Sequence, residues 1–329
     1  MKDTREYSFN SDALIKELRT FSEKGITELT VSDKEICSDK KKLLQFLKAV
    51  QKDCPELFVT LPLELNLVDR DVVRELLNVY ASVELKLEGT EKNGALLFDR
   101  KLYSSKAALL NENGLVFGFE MSFGKQKGDT FKAFRDRLDF ALSLYPNHID
   151  FPQLEEENWD PPSTGIYSSK DLSFSHGIAF AVRTFYSAGR AVPWFNMVLQ
   201  VLKVNASTFL ADFEEWQQCN NCSLESGFVP ENVNHTELEK MQLNFLQQKF
   251  VEKHKEEYLP AVYDLVRLNG AFSRLVQENL EAVVETSYNP DDLLSPYSMD
   301  LVRFTENVPM EGCSVKIFEN DGEPDYKIL

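Results

Sequence analysis

The stretch from Asn111 to Glu155, NENGLVFGFEMSFGKQKGDTFKAFRDRLDFALSLYPNHIDFPQLE, changes its apolar period twice and so restricts the fold more than any other part of the chain. After the turn signal Asn111-Glu112-Asn113-Gly114, apolar residues alternate at Leu115, Phe117, Phe119, Met121 and Phe123. Period two predicts a strand with one buried face. A polar, Gly-containing loop follows. Phe131, Phe134, Leu138, Ala141, Leu142 and Tyr145 then fall at helical spacing, with Lys132, Arg135, Arg137 and Asp139 opposite. Pro146 stops that helix, and a second short strand begins at about His148. Strand, amphipathic helix and strand in one sheet make a right-handed parallel unit.

The same grammar runs upstream. A helix over 10–24, capped by Asn10 or Ser11, ends at Gly25. Strands are expected at 28–33, 57–63 and 82–88, with helices over 39–52, after the cap Asp69, and over 94–110. The fold class is therefore α/β: residues 1–155 form a partial, TIM-like (β/α) barrel of about five parallel strands. The acidic, Pro-rich segment 156–165 reads as a linker. Beyond it, 166–329 reads as a mainly α-helical domain, with helices over 174–188, 193–204, 207–217, 237–258 and 260–285. Leu301-Val302-Arg303-Phe304 and Ser314-Val315-Lys316-Ile317-Phe318 are expected to close it as a terminal β-hairpin.

Composition removes several function classes. The formal charge of −17 repels phosphate backbones and anionic lipid, so no nucleic-acid partner is expected. No apolar run approaches the roughly 20 residues that span a bilayer, and the N-terminus lacks a signal-like apolar stretch; a cytoplasmic protein with no membrane partner is expected. The five cysteines are scattered and odd in number, which suits reduced thiols. Cys219 and Cys222 have the spacing of half a zinc site or a redox pair, but the other three cysteines are far away in sequence, and two loop thiols without function is the simpler reading. His148, His176, His235 and His254 show no ligand spacing, so structural roles and no metal are expected.

Four stretches together resemble the barrel of cobalamin-type radical S-adenosylmethionine proteins, in the subfamily with a C-terminal helical domain. They are Phe21 to Asp33, similar to the second barrel strand and its lead-in helix; Val83 to Gly89, where the family has an "EVGIQS"-like strand; Phe131 to Leu154, similar to the "P-(D/N)-H-I" passage; and Phe185-Tyr186-Ser187-Ala188-Gly189-Arg190, which resembles "YYNSGRF". The departures carry more chemistry than the matches. The CxxxCxxC loop that holds a [4Fe–4S] cluster is absent, and no cysteine trio has that spacing. Ser122-Phe123-Gly124-Lys125-Gln126 stands where relatives carry "GLPGE", and Gly118 where they carry an acid. By this resemblance the chain begins after the cluster loop and first strand, and a cobalamin-binding segment is missing.

Without thiolates nothing delivers the electron that cleaves the cofactor, so radical chemistry is not expected of this chain. The resemblance then implies a degenerate, non-catalytic binding protein or partner subunit. The alternative is the C-terminal part of an active, methyl-transferring radical enzyme whose cluster and cobalamin are supplied by sequence outside this chain. A homodimer or protein partner is expected to cover the open barrel edge, since an unpaired strand invites aggregation.

The strand faces supply the candidate site. If Leu85, Leu87, Phe117, Phe119 and Met121 pack against helices, their alternating partners line the other face. Those are Thr30, Ser32, Thr60, Glu64, Glu84, Lys86, Glu88, Glu120, Ser122 and Asp150, with Asp33 beside them. A filled barrel core would be apolar; this lining is wet and open. It reads either as a cleft for a cationic or amine-bearing ligand, with weak S-adenosylmethionine binding as the specific case, or as a relic in which Lys86 neutralises its neighbours.

Overall fold

The computed structural model describes residues 11–156, 163 and 165–329. The chain divides into two compact units, one of 1–128 with 144–152, the other of 129–143 with 153–329. The expected linker lies largely outside the described residues, as does Asn10, a proposed cap of the first helix. Among the described residues no helix is long and apolar enough to cross a membrane.

The first unit runs α1 (Ser11–Glu23), β1 (Glu28–Thr30), α2 (Lys34–Ser38), α3 (Lys40–Asp53), β2 (Phe58–Leu63), α4 (Arg70–Leu76), β3 (Tyr80–Lys86), a small hairpin of β4 (Thr90–Lys92) and β5 (Ala95–Leu97), α5 (Arg100–Glu112), β6 (Val116–Glu120) and β7 (His148–Asp150). Strands β1-β2-β3-β6-β7 form one sheet in sequence order, with every neighbouring pair parallel. Among the described residues this is the expected α/β sheet of five parallel strands, a partial barrel. Its apolar face carries Val59, Leu61, Leu63, Val83, Leu85, Phe117, Phe119 and Ile149, all buried, as alternation requires.

Local capping explains where the helices begin. Asp39 accepts the Lys42 amide, Asp69 those of Asp71 and Val72, and Asp99 that of Leu102, each satisfying first-turn donors that no helix can pair internally. Gly25, at φ +67°, ends α1 in the left-handed conformation that glycine adopts without strain. The expected helix over 94–110 is corrected: the β4–β5 hairpin occupies its start, and the helix waits for Asp99.

The second unit holds α6 (Phe131–Leu142), α7 (Ser169–Ala181), a π-helical turn over 182–188, α8 (Phe195–Leu202), α9 (Ala206–Cys219), α10 (His235–Glu252), α11 (Leu259–Glu278), β8 (Ala282–Thr286), α12 (Pro290–Leu293), α13 (Leu301–Asn307), β9 (Cys313–Asn320) and β10 (Glu323–Ile328). Phe185 is its hub, with Trp194, Phe195, Phe209, Phe213 and Phe245 at centroid distances of 4.8 to 6.1 Å, mostly edge to face. Helix α6, which joins β6 to β7 in the chain, packs with this unit. Asp139 accepts from the Ser207 amide at 2.6 Å and the Ser207 hydroxyl at 3.1 Å, so α6 caps the start of α9.

Two expectations for this unit are corrected. Leu301 to Phe304 is helical, because Asp300 caps it and Leu301 and Phe304, one turn apart, are both buried. The terminal hairpin is β9–β10 instead, and β8, taken from the expected 260–285 helix, adds a third antiparallel strand. Asn279 turns left-handed at φ +53° and ends α11 ahead of that strand.

Candidate functional site

The polar face of the five-stranded sheet is ordered by register into three rows. Thr30, Thr60 and Ser82 are partners across β1, β2 and β3. Next come Pro62, Glu84, Gly118 and His148 across β2, β3, β6 and β7. Nearest the carboxyl ends of the strands come Lys86, Glu120 and Asp150. The first row is neutral, so charge gathers toward the carboxyl edge, the side on which open parallel sheets bind their ligands.

Ser82 is buried, while Lys86 and Asp150 have side chains 58% and 65% exposed. Lys86 Nζ lies 3.3 Å from Glu120 Oε1, the neutralising contact that alternation predicts. Tyr103, from α5, steadies this end of β3 by donating to the Lys86 carbonyl at 2.5 Å and accepting from the Glu88 amide at 3.3 Å.

The middle row holds the tightest contact. His148 Nε2 is 2.8 Å from Glu84 Oε2 and 3.6 Å from Asp150 Oδ2. Ser82 Oγ donates to Glu84 Oε1 at 2.7 Å and so fixes which carboxylate oxygen meets the ring. Burial alone would lower the imidazole's proton affinity. The hydrogen bond with Glu84 and the charges of Glu84 and Asp150 outweigh it and hold His148 above its ordinary value. Among the described residues, Glu84, His148 and Asp150 are the one set of three ligand-bearing side chains whose donor atoms fall within 4.8 Å of one another.

The remaining sequence candidates are not gathered here. Asp33 caps α2 by accepting the Glu35 amide. Ser32, Glu64 and Glu88 are exposed beyond their strands' ends, and Ser122 is half-buried just past β6. Sequence reasoning set His148 aside as structural and passed over Ser82 and Gly118 as site residues. The readable signal was His148-Ile149-Asp150, whose period of two sends both polar side chains to one face.

The thiols do not fit the iron–sulfur cluster that the resemblance implies. Cys37 is buried against the Val31 carbonyl, and burial first, with the Asp33 charge second, pushes its thiol up to about 12. Cys54 is buried after α3. Cys219, Cys222 and Cys313 belong to the other unit, and burial pushes Cys222 up to about 11.

Fold and site thus define an α/β half-barrel protein with a charged carboxyl edge. No protein-family model matches the chain, and no curated protein matches it. Among solved structures it is similar to the radical S-adenosylmethionine methyltransferase TsrM from Kitasatospora setae with tryptophan substrate and an aza analogue of S-adenosylmethionine bound. That likeness has a TM-score of 0.37 and 14% identity over 43% of this chain and 30% of that one. The same enzyme with cobalamin and a [4Fe–4S] cluster bound is similar at a TM-score of 0.36 and 14% identity, over 43% and 28%. The chain spans less than a third of that enzyme's length.

Proposed function

We propose that this chain is a non-catalytic binding protein or partner subunit, a degenerate radical-SAM-like half-barrel whose ligand is a cationic, amine-bearing small molecule of the S-adenosylmethionine type. The observation that carries the reading is the row Lys86, Glu120 and Asp150 at the carboxyl edge of an open parallel sheet. Glu64 and Glu88, exposed just past β2 and β3, add acidic charge beyond the row, and one lysine cannot balance it. Lys86 is also easily displaced: an ion pair this exposed is worth about 1 kcal/mol or less, so an incoming ammonium or sulfonium can take its place beside Glu120. The chain's own cysteines supply no cluster, so the ligand is held and not cleaved.

Calorimetric titration with S-adenosylmethionine tests this, on the native chain and on the double variant Glu88→Ala, Glu120→Ala. Saturable heat that the double variant loses is the expected result. Heat that is absent, or unchanged in the variant, would leave the face a relic. An in-frame CxxxCxxC segment upstream would instead make the chain part of an active radical enzyme.

A further inference from the structure

We propose that Glu84, His148 and Asp150 form a binding site for one divalent transition-metal ion, one imidazole and two carboxylates with the remaining positions open to solvent or ligand. The proposal goes beyond the ligand reading above and shares only Asp150 with it. Strands two apart in a sheet are separated by about 9.6 Å, twice the usual spacing, so side chains on β3 and β7 ordinarily meet nothing of each other. Here they meet because β6 places Gly118 between them. A Cβ at Gly118 would sit 2.2 Å from His148 Nε2, inside the space the ring occupies. The middle strand gives up its side chain where ligands from either side converge.

The distances suit an ion. Ligands about 2.1 Å from a metal in tetrahedral or octahedral array lie about 3.0 to 3.4 Å from one another. The values 2.8 Å and 3.6 Å to the same ring nitrogen bracket that range. A plain Glu–His ion pair accounts for the first contact only. The second, at 3.6 Å, is too long for a hydrogen bond and within reach of an ion shared with the first. An ion on Nε2 uses all three groups and offsets both negative charges. Ser82, buried and bonded to Glu84 Oε1, is the outer partner that metal-bound carboxylates characteristically have. One nitrogen and two carboxylate ligands favour Zn²⁺, Fe²⁺, Mn²⁺ or Co²⁺ over Ca²⁺, which takes six to eight oxygens.

The test uses metal alone, with no S-adenosylmethionine present, so that its failure leaves the ligand reading standing and the reverse. The full chain, freed of metal by a chelator, is titrated with Co²⁺ and then with Zn²⁺ in competition with a chromophoric chelator. One equivalent should bind, with visible ligand-field bands and no thiolate-to-cobalt charge transfer. Glu84→Gln and His148→Ala should each weaken it by about tenfold or more, and Ser82→Ala by about tenfold. Asp150→Asn, at an exposed position, should weaken it without touching the fold, which keeps the test decisive if an inner variant melts early. Sub-stoichiometric binding, a thiolate band, or affinity unchanged in Asp150→Asn and His148→Ala would overturn the site.

Discussion

His148 reaches Glu84 over an intervening strand: Nε2 lies 2.8 Å from Glu84 Oε2 although β6 runs between β3 and β7. Gly118 makes that contact sterically possible, and the first prediction follows from it. Gly118→Ala places a methyl 2.2 Å from the ring nitrogen and must push the imidazole off Glu84. Overpacking of this kind costs about 1–3 kcal/mol. The denaturant midpoint should fall accordingly, and a midpoint equal to the native one would show that the ring has room to spare.

The second prediction concerns pH and the helical unit. His235 Nδ1 lies 3.0 Å from Arg274 Nη1, which can only donate, and Nε2 lies 3.3 Å from the Gly189 carbonyl, which can only accept. The ring is therefore neutral with its proton on Nε2. Arg274 is itself held by Glu239 at 2.6 Å, and Arg190 by Glu278 at 2.6 Å. Burial first, then the Arg190 charge, lowers His235 to about 4, with Arg274 adding to the effect against the Gly189 hydrogen bond and Glu278.

The unfolded chain takes up this proton below its ordinary 6.5, while the folded chain resists until about 4. Stability from this group is thus complete above that ordinary value and declines as pH falls toward 4, by about 3 kcal/mol over the window. Urea midpoints of the native chain and His235→Gln, compared between pH 7 and pH 4.5, should converge on acidification. A constant gap would contradict the assignment.

The third prediction has the opposite sign. Asp264, buried in α11, accepts the Ser287 and Tyr288 amides at 2.6 and 3.0 Å and so holds the end of β8. Burial raises it from 3.8 to about 6 despite those hydrogen bonds. A carboxyl raised on folding contributes most below its unfolded value, and that contribution is lost as pH rises through the folded one. Asp264→Asn keeps an acceptor and removes the buried charge. At pH 8 it should melt at or above the native temperature, whereas Asp264→Ala, leaving two amides unpaired, should lose about 2 kcal/mol or more. Equal melting of the two variants would show that the amides find other partners.

Much of the first unit was legible because its signals are local. Alternation at Leu115, Phe117, Phe119 and Met121, helical spacing at Leu43, Phe46, Leu47 and Val50, and caps such as Asp69 each report on residues within a turn or two. Short apolar runs were not legible. Leu301-Val302-Arg303-Phe304 suits strand or helix equally, and burial of Leu301 with Phe304 decided for helix. Val283 and Val284 became strand because β9 was there to pair with them.

The sequence by itself determined that Glu84, Lys86, Glu120 and Asp150 share a polar sheet face, since side-chain direction in a strand depends only on position along it. Tertiary structure alone decided which of them meet. Register set Lys86 opposite Glu120 and put Gly118 between Glu84 and His148, and register is fixed by the packing of strands dozens of residues apart. No local pattern encodes it, which is why the lysine–glutamate pair could be foreseen in kind while the histidine at the centre of the site could not.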